Sequence, residues 1–180
     1  KFLDLWFTDI MGLVKNVTLP VGRAKKVLRA GMPFDGSSID GFARVAESDM
    51  VLIPDYDTFA LLPWSDSQGV TARLICSVFT PQGEAFIGDP RMTLIKALKQ
   101  AESMGFTFKT GMELEFFLFG LDAHRQPSVS APSDIGGYYD ISTDSAQTVR
   151  RDMIATLHKL DIGVDSAHSE IGSGQHEIDL

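Results

Sequence analysis

Cysteine is almost absent from this chain. The single Cys76 rules out an internal disulfide and a thiolate zinc site. Its apolar surroundings, "RLICSVF", mark a buried and unreactive thiol rather than a nucleophile. Long apolar runs are missing too: none could span a bilayer, and no signal peptide opens the chain. The expectation is a soluble, cytoplasmic protein with no membrane partner. Positive charge is scarce, with 16 Lys and Arg against 24 Asp and Glu and a net charge of −8. A phosphate backbone needs a basic face, so this balance argues against nucleic acid as the main partner. Neither G-x-x-x-x-G-K-[ST] nor G-x-G-x-x-G occurs. Any nucleotide would therefore rely on metal ions for much of its phosphate contact.

What is present suffices for a real core, since 44% of the 180 residues are hydrophobic. Alternating Leu3, Leu5 and Phe7 predict a strand, with a second strand after Met11-Gly12. "VGRAKKVLRAG" predicts a short helix with Ala24, Val27 and Leu28 inward and Gly31 beyond its end. "MPFDGSSIDGFARVAESD" has no sustained period and reads as loop. Two further strands follow in "MVLIPDYDTFALLPW" and "TARLICSVFTPQGEAF", with turns at Pro54-Asp55, 65–69 and 81–83. A small sheet carrying one helix is the expected first unit.

A second unit is expected from "GDPRMTLIKALKQAESMGF", where Asp89 suits an N-cap and Pro90 the first helical position. Leu94, Ile95, Leu98 and Ala101 make its apolar stripe. "FTFKTGMELEFFLFG" reads as a buried strand, "AHRQPSVSAPSDIGG" as loop and "YYDI" as a short strand. "DSAQTVRRDMIATLHKL" reads as a helix facing inward through Ala146, Val149, Met153, Leu157 and Leu160. "IGVDSAHSEIG" and "GQHEIDL" read as strands. Lys1 is not Met and Leu180 falls inside a predicted strand, so the chain reads as a portion of a longer protein.

Two carboxylates interrupt the apolar run "GMELEFFLFG". In a strand Glu113 and Glu115 share a face, and nothing basic lies between Thr110 and Arg125. Burying an unpaired carboxylate is costly, so such groups are solvated, paired, protonated or metal-bound. Between residues 160 and 180 there is again no Lys or Arg, but Asp161, Asp165, Glu170, Glu177 and Asp179 are present. His168 and Glu170 share one strand face, and Glu177 and Asp179 another. If these strands neighbour the Glu113–Glu115 strand, four or more acids converge without counter-charge, and hard divalent cations are the simplest answer. A histidine there could ligate, although a lone strand histidine is more often a plain hydrogen-bonding group; His124 and His158 carry no functional expectation.

The ordered set "FDGSSIDGF", "ESDMVLIPD", "GDPR", "GMELEFFLF", "GGYYD", "DSAQ" and "HSEIGSGQHEID" resembles the glutamine synthetases of bacterial and archaeal type I across nearly the whole chain. The resemblance implies an α+β fold: a β-grasp domain over 1–86, then the beginning of a guanido-kinase-like catalytic domain with a curved antiparallel sheet over 87–180. It implies ligation of ammonia to glutamate with ATP and two Mg²⁺ or Mn²⁺ ions, through γ-glutamyl phosphate. Glu113 resembles a ligand of the metal near the transferred phosphate; Glu115, Glu170 and Glu177 resemble ligands of the other. Asp35 resembles the aspartate that a neighbouring subunit contributes to the ammonium site, and Tyr138 a tyrosine near it. A homo-oligomer, a dodecamer of two stacked hexamers, is implied as well.

The chain departs from the family pattern at Met112 and Leu114, where proline is more usual, at a "YYDISTD" shorter by one residue, and at Ser169, where histidine is common. The family's catalytic domain also continues well beyond Leu180, so the chain is expected to be inactive alone. Rival readings are a γ-glutamyl-polyamine ligase of the same family, a non-catalytic assembly or regulatory homologue, and, on the acids alone, a two-metal phosphoesterase.

Overall fold

A computed structural model describes residues 1–39, 49–64, 69–132, 134–141 and 146–180. The chain divides into two compact units, Lys1–Phe108 and Lys109–Leu180. The predicted turn at 65–69 lies mostly outside the described residues, as does much of the loop after Ile39.

The first unit is a five-stranded sheet in the order β2-β1-β5-β4-β3. Its strands are β1 (Phe2–Thr8), β2 (Val14–Pro20), β3 (Met32–Asp35), β4 (Asp49–Leu61) and β5 (Thr71–Phe79). β1 runs parallel to β5; the other pairs are antiparallel. Helix α1 (Ala24–Ala30) lies between β2 and β3 in the chain and sends Val27 into the core beside Leu3, Leu5, Phe7, Leu52, Leu74 and Cys76. This is the expected β-grasp arrangement. Alternation along β1 puts Asp4 and Trp6 on the other face, where Asp4 accepts from Thr18 Oγ1 at 2.7 Å and the Arg73 guanidinium lies 5.3 Å over the Trp6 ring. Burial raises the Cys76 thiol to about 12, so it stays an inert thiol.

Two expectations change here. Residues 32–35, read as loop, form edge strand β3, because pairing to β4 supplies what local periodicity lacks. The predicted turn at Pro54-Asp55 is instead a register shift within one long strand, between Asp55 and Ala60. α1 stops at Gly31, whose φ of 75° and ψ of 175° are essentially closed to other residues. A Cβ there would come within 2.5 Å of Val51 Cγ1.

α2 (Pro90–Ser103) begins as predicted, with Asp89 Oδ1 accepting from the Arg91 amide at 2.9 Å. The other oxygen accepts from the Val78 amide of β5 at 2.8 Å, so one buried carboxylate fastens helix to sheet. The predicted apolar stripe is not buried among the described residues: Leu94 and Leu98 are exposed.

The second unit holds a three-stranded antiparallel sheet, order β6-β10-β9, from β6 (Glu113–Phe117), β9 (Ser166–Ser169) and β10 (Gln175–Asp179). A hairpin of β7 (Phe119–Leu121) and β8 (Pro127–Pro132) stands where a loop was expected for the second arm. Residues 138–140 form a turn rather than a strand. β6 is shorter than predicted and is the exposed edge of its sheet: Phe117 is 51% exposed, and only Phe116 is half-buried. α3 (Gln147–Lys159) packs against β9, but its inward face is turned from the predicted one. Ala146 and Arg150 are buried, while Val149 and Met153 are exposed.

Candidate metal-binding site

Register builds the site. Glu115 of β6 is paired with Glu177 of β10, which is paired with His168 of β9. Directly paired residues point to the same face, so these three form one row across the sheet. The next row is Glu113, Asp179 and Ser166, with Ser166 Oγ donating to Asp179 Oδ2. Among the described residues no lysine or arginine pairs with these acids.

The turn after β9 brings in Glu170. Its amide donates to the Gln175 carbonyl at 2.8 Å, and Gly174, at φ 71°, lets the chain reverse. Gln175 fixes both sides of that turn. Its Oε1 accepts from the Gly172 amide at 3.0 Å, and its Nε2 donates to Glu115 Oε2 at 2.6 Å. His168, Glu170 and Glu177 then present one ligand atom each, all within 4.8 Å of one another. His168 Nδ1 lies 3.5 Å from Glu170 Oε1 and Nε2 lies 3.7 Å from Glu177 Oε2.

Crowding of like charge shows in protonation. Burial, then a hydrogen bond with Glu170 and the charges of Asp179 and Glu170, raises the Glu177 carboxyl to about 7, opposed by His168. Tyr138 and Tyr139 flank His168 edge-on, with ring centroids at 5.3 and 4.7 Å. A hydrogen bond with Tyr139, then burial and the nearby acids, raises the Tyr138 phenol to about 12.

Behind the acid face lies a second polar layer. His176 is fully buried on the opposite side of β10 from Glu177. Its Nδ1 lies 2.8 Å from Arg150 Nη1, and its Nε2 lies 3.8 Å from Asp134 Oδ2. A guanidinium only donates, so Nδ1 accepts and the ring proton sits on Nε2, toward the Asp134 carboxylate. Ser169 Oγ donates to the Gly137 carbonyl at 3.0 Å, tying the tyrosine loop to the sheet. A pocket of about 190 Å³ lies between that loop, Gln147 and Arg150 of α3, and residues 167–169.

The six residues singled out in the sequence are thus distributed. Glu170 and Glu177 meet; Glu115 stands in their row, held by Gln175; Glu113 lies one row away, opposite Asp179; Tyr138 covers His168. Asp35 belongs to the first unit, at the end of β3, where it accepts from the Ser37 amide at 2.8 Å and Ser37 Oγ at 2.6 Å. These bonds, the hydroxyl's foremost, hold its carboxyl below the usual range. Sequence reasoning missed His168 as a full member of the cluster, along with Tyr139, Arg150, His176 and Asp134. The spacing of His168 two before Glu170 was the one available signal.

A β-grasp sheet followed by an antiparallel sheet with its acids gathered on one face defines an α+β protein of specific kind. The family model for the glutamine synthetase β-grasp domain matches residues 1–81, and that for the glutamine synthetase catalytic domain matches residues 87–180. The chain belongs to the glutamine synthetase family. It is 49% identical to a glutamine synthetase of Staphylococcus epidermidis and 48% identical to one of Staphylococcus aureus, in each case over its whole length but only 41% of the relative's. Among solved structures it resembles GmaS in complex with ADP, at 28% identity and a TM-score of 0.80, covering 99% of this chain and 40% of that one. The Plasmodium falciparum glutamine synthetase shares the fold at 20% identity and a TM-score of 0.80, covering 100% of this chain and 41% of that one.

Proposed function

We propose that this chain is the front portion of a longer glutamine synthetase, with a β-grasp domain over 1–86 and the opening of the catalytic domain over 87–180. The proposed activity is ATP-dependent ligation of ammonia to glutamate through γ-glutamyl phosphate. The observation that carries it is the acid row Glu115–Glu177 with Glu170 beside it, in a chain of this family. Three carboxylates and an imidazole, with no lysine or arginine ion-paired to them among the described residues, are a donor set suited to a divalent cation. Glu115, Glu170 and Glu177 would hold one such ion, Mg²⁺ or Mn²⁺, and Glu113 would contribute to a second. The ions would supply the positive charge that phosphoryl transfer requires.

The chain's own residues have separable tasks in this reading. Gln175 keeps Glu115 aimed along the row, and Glu177 must release its proton before it can ligate. Asp35, kept anionic by Ser37, suits recognition of ammonium and would serve the active site of a neighbouring subunit. That role requires a homo-oligomer, for which we propose the dodecamer. Tyr138, held as a neutral phenol, would border the same pocket. A cytoplasmic setting is part of the same proposal; separately, none of the described helices is long and apolar enough to cross a membrane.

Phosphate release by the full-length enzyme carrying this chain tests the reading, with glutamate, ATP and either ammonium or polyamines. Ammonium-dependent release is expected; turnover with polyamines alone would overturn the choice of acceptor. Ligation of another amine by the same fold is the second reading. Retention of the acid row argues against a non-catalytic homologue.

A further inference from the structure

We propose that Ser169 is a positioning residue for the amine acceptor: its buried hydroxyl holds the turn Gly137–Asp140, and with it the Tyr138 and Tyr139 rings, against the edge of β9. The inference rests on the reading of Tyr138 as a border of the ammonium pocket and names the group that sets that border.

Exposure is the first argument. The Tyr138 and Tyr139 side chains are 50% and 64% exposed, so core packing does not fix them. Their place beside His168 depends on the backbone beneath them. That backbone is a tight turn. The Asp140 amide donates to the Gly137 carbonyl at 3.1 Å, and the Gly137 amide donates to Asp140 Oδ2 at 2.9 Å. Strain is the second argument. Tyr139 has a φ of 61°, a left-handed conformation that a bulky residue keeps only where its surroundings impose it. The internal bonds close the turn but tie it to nothing else. Among the described residues, every hydrogen bond from 137–140 to the sheet ends on Ser169. The Tyr139 amide donates to the Ser169 carbonyl at 3.2 Å. Ser169 Oγ lies 3.0 Å from the Gly137 carbonyl oxygen and 3.5 Å from that of Asp140, so its one proton goes chiefly to the nearer. Burial is the third argument. Ser169 is 2% exposed, so water does not take over when its hydroxyl is removed. Register separates this anchor from the acids. Alternation puts Ser169 on the opposite face of β9 from His168, paired with His176. The serine therefore acts on the acceptor pocket only through the tyrosine turn. The competing arrangement is a serine that merely fills the strand edge, with the tyrosines placed by loop closure alone.

Two measurements on the full-length enzyme carrying this chain separate the arrangements, with Ser169→Ala as the test and Ser169→Thr as the control that keeps the hydroxyl. Hydrogen exchange read by mass spectrometry should quicken about tenfold at residues 137–140 of Ser169→Ala, the effect of one lost hydrogen bond, while α3 and β10 keep their parent rates. Steady-state kinetics should show the KM for ammonium rising about tenfold in the same variant as the pocket border shifts. The kcat and the KM values for glutamate and ATP should stay within about twofold. Ser169→Thr should restore both readouts. Unchanged exchange at 137–140, kcat and every KM moving together, or a folded threonine variant that behaves like alanine would overturn the role of Ser169 and leave the ligation reading standing. Absence of ammonium turnover in the unmodified enzyme would overturn the acceptor reading and the kinetic role together, while exchange at 137–140 still judges the anchor. If the threonine variant does not fold, the split between the ammonium KM and kcat in Ser169→Ala decides.

Discussion

Glu115 and Glu177 stand directly opposite each other across β6 and β10, two carboxyl groups in one register position that repel once both are ionised. Such a pairing weakens a sheet unless a cation lies between them. Replacing Glu115 with Gln should therefore move two properties in opposite directions. Above about pH 7, where Glu177 has lost its proton, metal-free stability should rise by about 0.2–1 kcal/mol, while Mn²⁺ affinity should fall at least about tenfold, because even residues outside a metal's direct ligands cost that much. Urea unfolding and calorimetry on the same variant check the pair.

Protonation should reproduce the conflict. The Glu177 carboxyl is raised from 4.5 to about 7 by burial first and neighbouring acids second. A carboxyl raised on folding stabilises the folded state fully below its unfolded value, and that contribution is lost as pH climbs through the folded one. Without metal, the urea midpoint should fall between about pH 4.5 and 7. Glu177→Gln should flatten this slope. Mn²⁺ affinity should run the other way and strengthen across the same interval, because the proton and the ion compete for one carboxylate.

Arg150 and His176 offer a test away from the acid face. The arginine bonds to a histidine that is 0% exposed, and it is itself 5% exposed. Nitrogen NMR should find His176 as the neutral Nε2–H form. Arg150→Met should cost about 1.5–3 kcal/mol, the range for a buried hydrogen bond to a charged group. A wild-type unfolding midpoint in that variant would show the contact to be idle.

Gly31 tests the backbone. Gly31→Ala should destabilise the first unit by about 1–3 kcal/mol from its dihedrals alone, and the 2.5 Å approach to Val51 adds to that. A thermal unfolding scan reads it directly.

The elements that the sequence made legible were those with strong local rules. The β1–β2 pair, the α2 cap at Asp89 and the final two strands follow from alternation and capping chemistry. Glu113 and Glu115 sharing a face follows from strand geometry alone. What stayed hidden depended on partners distant in the chain. β3 and β8 exist because another strand accepts their backbone. The inward turn of α3 toward Arg150 could not come from an apolar period, since the buried residue is charged and its partner lies 26 positions on. The acids were visible as residues, but only the β6-β10-β9 register placed Glu115, Glu177 and His168 in a row. The exposure of β6 defeated an argument from composition, because an apolar run at a sheet edge need not be covered.

Asp89 carries a practical lesson for dissecting this chain. The two family matches change over between residues 81 and 87, yet the first compact unit runs on to Phe108. Ancestry and mechanics place the seam about twenty residues apart, and the carboxylate that joins α2 to Val78 lies between the two positions. A truncation after residue 86 would strip the Val78 amide of its acceptor, whereas one after Phe108 keeps the latch closed. The shorter piece matches the homology; the longer one is the piece to express.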